Sequence, residues 1–172
     1  MEKFLNGYFY NPTCGNLKIG GVISEVLKYI QERPGRFYDI VVGCDSSSDT
    51  DPCFPVAVVV LRKGMGGRFF LKKIHYNPRE RKKFKSWKVR VLQEVMLSCQ
   101  LALYLRERLE KRIKNFKNIP SYEFRYIHAD IGENGATKDM IKEVTGLIRG
   151  NGFEPKIKPE AYVASTVADR YA

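Results

Sequence analysis

Two apolar runs constrain the fold more than any other feature of this chain. Residues 38–44 read YDIVVGC and residues 54–61 read FPVAVVVL. Both are short, rich in β-branched residues and nearly free of polar alternation, the pattern of strands covered on both faces. Such strands sit in the middle of a sheet with material on either side. Gly64, Gly66 and Gly67 follow the second run as a turn signal, after which RFFLKKIHY (68–76) reads as a third strand paired back as a hairpin. With 172 residues, 44% of them hydrophobic, the chain is long enough for one domain with a sizeable core and too short for two ordinary ones.

Helical periodicity fills in the rest. Residues 16–32 carry Ile19, Ile23, Val26, Leu27 and Ile30 at helical spacing behind an Asn16 cap, and Pro34-Gly35 ends the segment. Residues 86–114 contain neither Gly nor Pro and place Leu92, Val95, Met96, Cys99 and Leu103 on one face, which predicts a long central helix. YEFRYIHA (122–129) predicts a strand, 137–149 a helix, 153–158 a short extended piece, and Pro159 the first turn of a terminal helix. The order α, βββ, α, β, α, β, α predicts a single mixed α/β domain over 1–172, with 1–35 as an N-terminal helical extension.

Composition narrows the function classes. No run approaches the ~20 apolar residues of a membrane span and no apolar signal core follows Met1, so a cytoplasmic protein is expected. Four cysteines without C-x-x-C spacing and only two histidines leave few ligands for zinc, and the thiols read as reduced and structural. The net charge of +11 is concentrated. Residues 62–90 hold twelve Lys and Arg against Glu80 alone, which leaves the remaining 143 residues neutral. A localised basic tract interleaved with Phe69, Phe70, Tyr76, Phe84 and Trp87 suits nucleic acid, through phosphate neutralisation and base stacking, whereas the bland reading is a solvated loop. The candidate contacts are Lys72, Lys73, Arg79, Arg81, Lys82, Lys83, Lys85 and Trp87, with Lys138 as a further phosphate contact.

Few of the nineteen acids lie inside apolar elements, where an unpaired charge is costly. Asp45 and Asp130 each end a strand, the place where ligands collect in open α/β sheets; for Asp45 the structural alternative is an Asx turn opening the Ser46-Ser47-Ser48 loop. Glu94 shares a helix face with Trp87, Ser98, Leu101 and Leu105, opposite the Leu92/Met96 stripe, and an ion pair with Arg90 is its ordinary explanation. Asp169 sits in the mostly apolar terminal segment. His128, two residues before Asp130, points to the same side and suits either proton transfer or simple packing. Several carboxylates converging on one place are what a phosphodiester hydrolase needs to hold two Mg²⁺ ions ~4 Å apart. The hard oxygen donors match that metal.

The βββαβαβα order with these acids resembles the ribonuclease H-like fold. VVGCDSSSD, HADIGENGATKDMIKEVTGLI and EPKIKPEAYVASTVADRYA are similar to the bacterial YkuK-type family of ribonuclease H-like proteins, from about residue 36 to the C-terminus. The resemblance implies a mixed sheet of three sequential antiparallel strands followed by βαβ-type additions, with helices on both faces and, here, an extra N-terminal helix. It implies a metal-binding acid at each of Asp45, Glu94, Asp130 and Asp169. The expected function is a Mg- or Mn-dependent nuclease holding two ions and acting on RNA, an RNA/DNA hybrid or structured DNA, with catalytic residues Asp45, Glu94, Asp130, Asp169 and His128. The alternative is a catalytically silent module of the same fold that binds nucleic acid or serves assembly.

Overall fold

A computed structural model describes residues 2–47 and 51–171. The elements run α1 (Glu2–Leu5), β1 (Phe9–Asn11), β2 (Gly15–Leu17), α2 (Ile19–Gln31), β3 (Phe37–Cys44), β4 (Phe54–Arg62), β5 (Gly67–Ile74), α3 (Pro78–Arg81), α4 (Trp87–Ile113), β6 (Ser121–Glu123), β7 (Tyr126–Ala129), α5 (Ile141–Gly150) and β8 (Glu154–Lys156). A π-helical segment, Val163–Ala168, and a final turn, Asp169–Tyr171, close the chain. The two apolar runs form the centre of one sheet, ordered β2-β1-β5-β4-β3-β7-β8, with β6 also on β3. β3, β4 and β5 are successive antiparallel neighbours, while β7 lies parallel to β3 and β8 parallel to β7. This is the mixed topology expected from the sequence.

Alternation divides the sheet cleanly. Ile40, Val42, Cys44, Val56, Val58, Val60 and Ile127 face the main core, which α2, α4 and α5 cover. Val41, Ala57, Val59 and Leu71 face the other way, beneath Val163, Tyr162 and Val167 of the C-terminal segment. Among the described residues, no helix is long and apolar enough to cross a membrane.

Helix α2 is fastened through arginines. The buried Arg62 guanidinium donates to the Tyr29 carbonyl at 3.0 Å and to the Tyr38 hydroxyl at 3.1 Å, and it pairs with Glu32 at 3.1 Å. Arg68 pairs with Glu25 and Glu32, both at 3.2 Å. Both cations lie over the Tyr29 ring, at 4.2 and 4.7 Å.

Four local expectations change. The N-terminal extension contains a hairpin: Asn11 Oδ1 accepts from the N–H groups of Thr13 and Cys14, and Gly15 at φ +69° brings β2 back on β1. Asn16 is therefore in a strand, and α2 starts after Lys18. The predicted stripe of α4 divides: Val95 and Cys99 are buried together with Glu94, Ser98, Leu101 and Leu105, whereas Leu92 and Met96 border a groove beside Gly146 and Leu147 of α5. The predicted strand 122–129 divides into β6 and β7 around Phe124 and Arg125. Pro159 lies in a turn, and the terminal helical segment begins only at Tyr162.

That terminal segment rests on β3 with almost no space between backbones. A Cβ on Gly43 would stand 2.8 Å from the Ala164 nitrogen and 3.2 Å from the His128 carbonyl oxygen. Both obstacles are main chain and neither can rotate away. The substitution Gly43→Val is expected to destabilise the fold by roughly 1–3 kcal/mol, the usual cost of overpacking, and to expose the C-terminal segment to protease. Urea unfolding and limited proteolysis measure the two effects.

Candidate functional site

The carboxyl end of the central strands is where chain order and packing meet. The β3–β4 ladder continues one residue past Cys44, since Asp45 N–H donates to the Pro55 carbonyl at 3.3 Å. Asp45 thereby leaves the sheet on the same side as Gly43, toward the C-terminal segment that carries Asp169. Asp130 leaves β7, the parallel neighbour of β3. Glu94 arrives from the opposite layer on α4 and is 7% exposed. The four acids thus come from four separate elements.

Their electrostatics record how closely they gather. Burial pushes the Asp45 carboxyl up to about 7, opposed by the Ser46 N–H, which donates to Oδ1 at 2.8 Å. The charges of Asp130 and Asp169 raise it further, and the Asp169 carboxyl is near enough to share a hydrogen bond with it. Burial pushes Glu94 up to about 8; the Ser46 hydroxyl, donating to Oε1 at 2.5 Å, and Arg90 oppose the rise, while Asp45 and Asp130 add to it. No salt bridge joins Arg90 to Glu94 among the described residues: Arg90 Nη1 donates to the Phe84 carbonyl at 2.9 Å.

An all-oxygen donor set of this kind suits Mg²⁺ or Mn²⁺. One observation favours a cation there: Asp130 Oδ1 is buried without a hydrogen-bond partner. The arrangement is not closed around an ion, however. Among the described residues no three His, Cys, Asp or Glu side chains stand in metal-holding geometry. Three of the oxygens are already engaged, Asp45 Oδ1 and Glu94 Oε1 by Ser46 and Asp130 Oδ2 by Lys158 Nζ at 2.9 Å. Sequence reasoning passed over Lys158. Its position is set by its own N–H donating to the Ile131 carbonyl at 2.8 Å, a tertiary contact with no local signature.

His128 stands apart from this group. Its Nδ1 accepts from the Val163 N–H at 3.2 Å, and its ring meets Tyr162 edge-on at 4.6 Å. It is 1% exposed, and burial, assisted by Lys156, pushes its pKa down to about 3. A neutral imidazole holding the backbone of the terminal segment replaces the expected proton-transfer role. Ser47 Oγ accepts from the Cys53 N–H at 3.2 Å and Ser47 N–H donates to the Cys53 carbonyl at 3.3 Å; Ser48 lies outside the described residues.

The basic tract separates into two parts. Lys72 is buried and donates to the Asn6 carbonyl, with its ammonium 5.5 Å from the Phe9 ring centre, so it is withdrawn from any phosphate. Arg81 pairs with Asp51. Lys73, Arg79, Lys82, Lys83, Lys85 and Lys138 are exposed. Phe70 and Phe84 are core residues, and Phe84 packs on Phe54 at 4.9 Å and Tyr76 at 4.8 Å, which removes them as stacking faces. Trp87 is half-buried against the same core, with Lys88 Nζ 5.7 Å from its ring centre. Sequence spacing alone does not separate these rings from exposed ones: Phe70 is turned inward within β5, and Phe84 and Trp87 sit in the short turn and first residue through which the chain enters α4. The exposed lysines nevertheless flank the site: Arg81 is tied to the loop between β3 and β4, which begins at Asp45.

The chain is similar to the uncharacterized protein YkuK of Bacillus subtilis (strain 168), being 28% identical over 172 residues that cover 95% of each chain. No solved structure matches it. Residues 21–172 match the family model described as Ribonuclease H-like, and this range holds the sheet from β3 to β8 with all four acids. The order of the strands, the acids at their carboxyl ends and this match agree: the chain belongs to the ribonuclease H-like family.

Proposed function

We propose that this protein is a metal-dependent nuclease that hydrolyses phosphodiester bonds. Family membership points to a nuclease or another nucleic-acid-related function. The observation that carries the finer reading is the mutual electrostatic influence of Asp45, Glu94, Asp130 and Asp169, drawn from four elements. Nothing in the packing requires four acids there, and their repulsion is a standing cost that divalent cations relieve.

In this reading Asp45, Glu94, Asp130 and Asp169 would hold Mg²⁺ or Mn²⁺, two ions at full occupancy, whose charge would offset that of the scissile phosphate and make a water more nucleophilic. Asp45 is the central donor, since it responds to both Asp130 and Asp169. Asp130 supplies its free Oδ1. Glu94 supplies a carboxylate whose orientation Ser46 fixes. Lys158, paired with Asp130 Oδ2, would leave a positive charge beside the substrate. The exposed lysines of residues 73–85 hold the strand by its phosphates.

A second reading, a catalytically silent nucleic-acid-binding or assembly module, draws on Ser46 and Lys158 already satisfying three of the carboxylate oxygens. One experiment separates the readings. Mg²⁺ or Mn²⁺ at about 100 times its dissociation constant is expected to stabilise the nuclease by about 2.7 kcal/mol, and Asp45→Asn to abolish the gain. A silent module gives no such gain. In a cleavage panel of single-stranded, duplex, hybrid and branched substrates, EDTA is expected to stop turnover. Asp45→Asn is expected to lower it by at least about 100-fold, the upper end of what outer-shell changes cost. Full activity in Asp45→Asn overturns the assignment.

The raised carboxyls give a pH signature. Unfolded Asp and Glu titrate near ~4, whereas Asp45 and Glu94 in the fold titrate near 7 and 8. Between those values the folded state holds the extra protons, so the metal-free protein is expected to lose stability as pH rises from about 4 to 8. Glu94→Gln flattens that loss. The stabilisation by Mg²⁺ runs the opposite way and grows with pH, because binding displaces the protons. Thermal melts from pH 5 to 9, with and without the ion, measure both slopes.

A further inference from the structure

The aromatic residues expected to stack on nucleic acid are largely core, yet another aromatic group lies on the outer face of the sheet. Tyr171 packs against Phe69 at 5.9 Å and Tyr10 at 6.4 Å. Tyr10 is 42% exposed and Tyr8, two residues earlier, is 59% exposed. The C-terminal segment covers β3, β4 and Leu71 of β5 on this face, and its Tyr171 ring extends that cover to Phe69 and Tyr10. Tyr171 shares its final turn with Asp169, so the aromatic group and the acids are carried by one segment.

Strand register adds a cation to the same track. Asp45 bonds to Pro55, and Pro55 is paired with Lys73, so Asp45 and Lys73 lie in one row, two strands apart, or roughly 10 Å. Lys73 is exposed and alternates with Leu71 and Phe69, which puts it on the outer face. Leu71 is in turn the register partner of Tyr10. From the acids, one step along the row meets an ammonium and one step along β5 meets the aromatic rings.

We propose that this outer face of β1 and β5, from Lys73 to Tyr10 and Tyr171, is a binding track for a single-stranded stretch of nucleic acid. Stacking needs bases whose faces are free, which a duplex does not offer, and it tolerates any sequence. The exposed Lys73 and Arg170 supply the complementary charge for the backbone. The inference rests on the proposed function in taking this strand to be the substrate of the acidic site, and it names the substrate class as one with unpaired nucleotides beside the cleaved bond.

Fluorescence anisotropy with labelled RNA and DNA 20-mers, single-stranded and duplex, in EDTA tests binding apart from cleavage. The wild-type protein is expected to prefer the single strands. Tyr10→Ala should weaken that binding by roughly 5- to 150-fold, the loss of one stacked base, while Tyr10→Phe retains it. Lys73→Gln should lower the slope of log affinity against log salt by about 0.7 and Tyr10→Ala should leave it alone. Tyr10→Leu, which keeps apolar cover over Tyr171, controls for disturbed packing and is also expected to bind weakly. Wild-type affinity in Tyr10→Ala and Tyr8→Ala, or an equal loss for duplex, overturns the track, as does absence of nucleic-acid binding by the wild-type protein. If these variants behave as expected while no metal supports cleavage, the track stands and the nuclease reading fails. If cleavage occurs with Tyr10→Ala binding as wild type, the reverse holds.

Discussion

Everything at the acidic end of this molecule depends on two backbones lying in contact. The main chain at Ala164 approaches β3 so closely that only glycine fits at position 43, and His128 accepts the neighbouring Val163 N–H. That seat carries the chain on to Asp169 and covers Asp45. Without it Asp45 would lose the Asp169 carboxyl, one of the two neighbouring acids that push its own carboxyl up. The two residues beneath the segment thus shape the chemistry of a carboxyl group that neither of them touches.

The opposite approach is made by α4, whose length of about 40 Å lets it cross the sheet while holding one acid among Leu97, Ser98 and Leu101. A glutamate in such surroundings is tolerated because the Ser46 hydroxyl reaches it from the far end of β3. The site is consequently a junction of two layers, sheet-to-helix on one side and sheet-to-tail on the other. Lys158 supplies the one ammonium bonded directly to an acid of this group among the described residues.

Much of this arrangement was legible in the chain. The middle strands announced themselves because both faces are covered, which removes polar residues from YDIVVGC and FPVAVVVL. An acid among apolar neighbours in a long Gly- and Pro-free stretch marked Glu94; the stripe opposite it is buried only in part, at Val95 and Cys99, since α4 packs against both the sheet and α5 and the two faces compete. The β1–β2 hairpin escaped because strands of three residues are shorter than any periodicity window; Asn11-Pro12 and Gly15 were its only marks. Charge density along 62–90 did not tell Lys72 and Arg62, turned inward, from their exposed neighbours, because that depends on which side of a strand meets α2 and the N-terminal loop. The pairing of Lys158 with Asp130 is wholly tertiary.

The sheet ends in very short strands. β2 spans Gly15–Leu17 at one margin and β8 spans Glu154–Lys156 at the other, the latter with Pro155, which has no N–H to offer. A chain arriving alongside either margin finds too few free donors and acceptors to zip onto, so growth into intermolecular ribbons is blocked at both borders. A strongly apolar interior is thereby kept from templating such growth, and the outer face beside the C-terminal segment, rather than either rim, is the part of the sheet left uncovered.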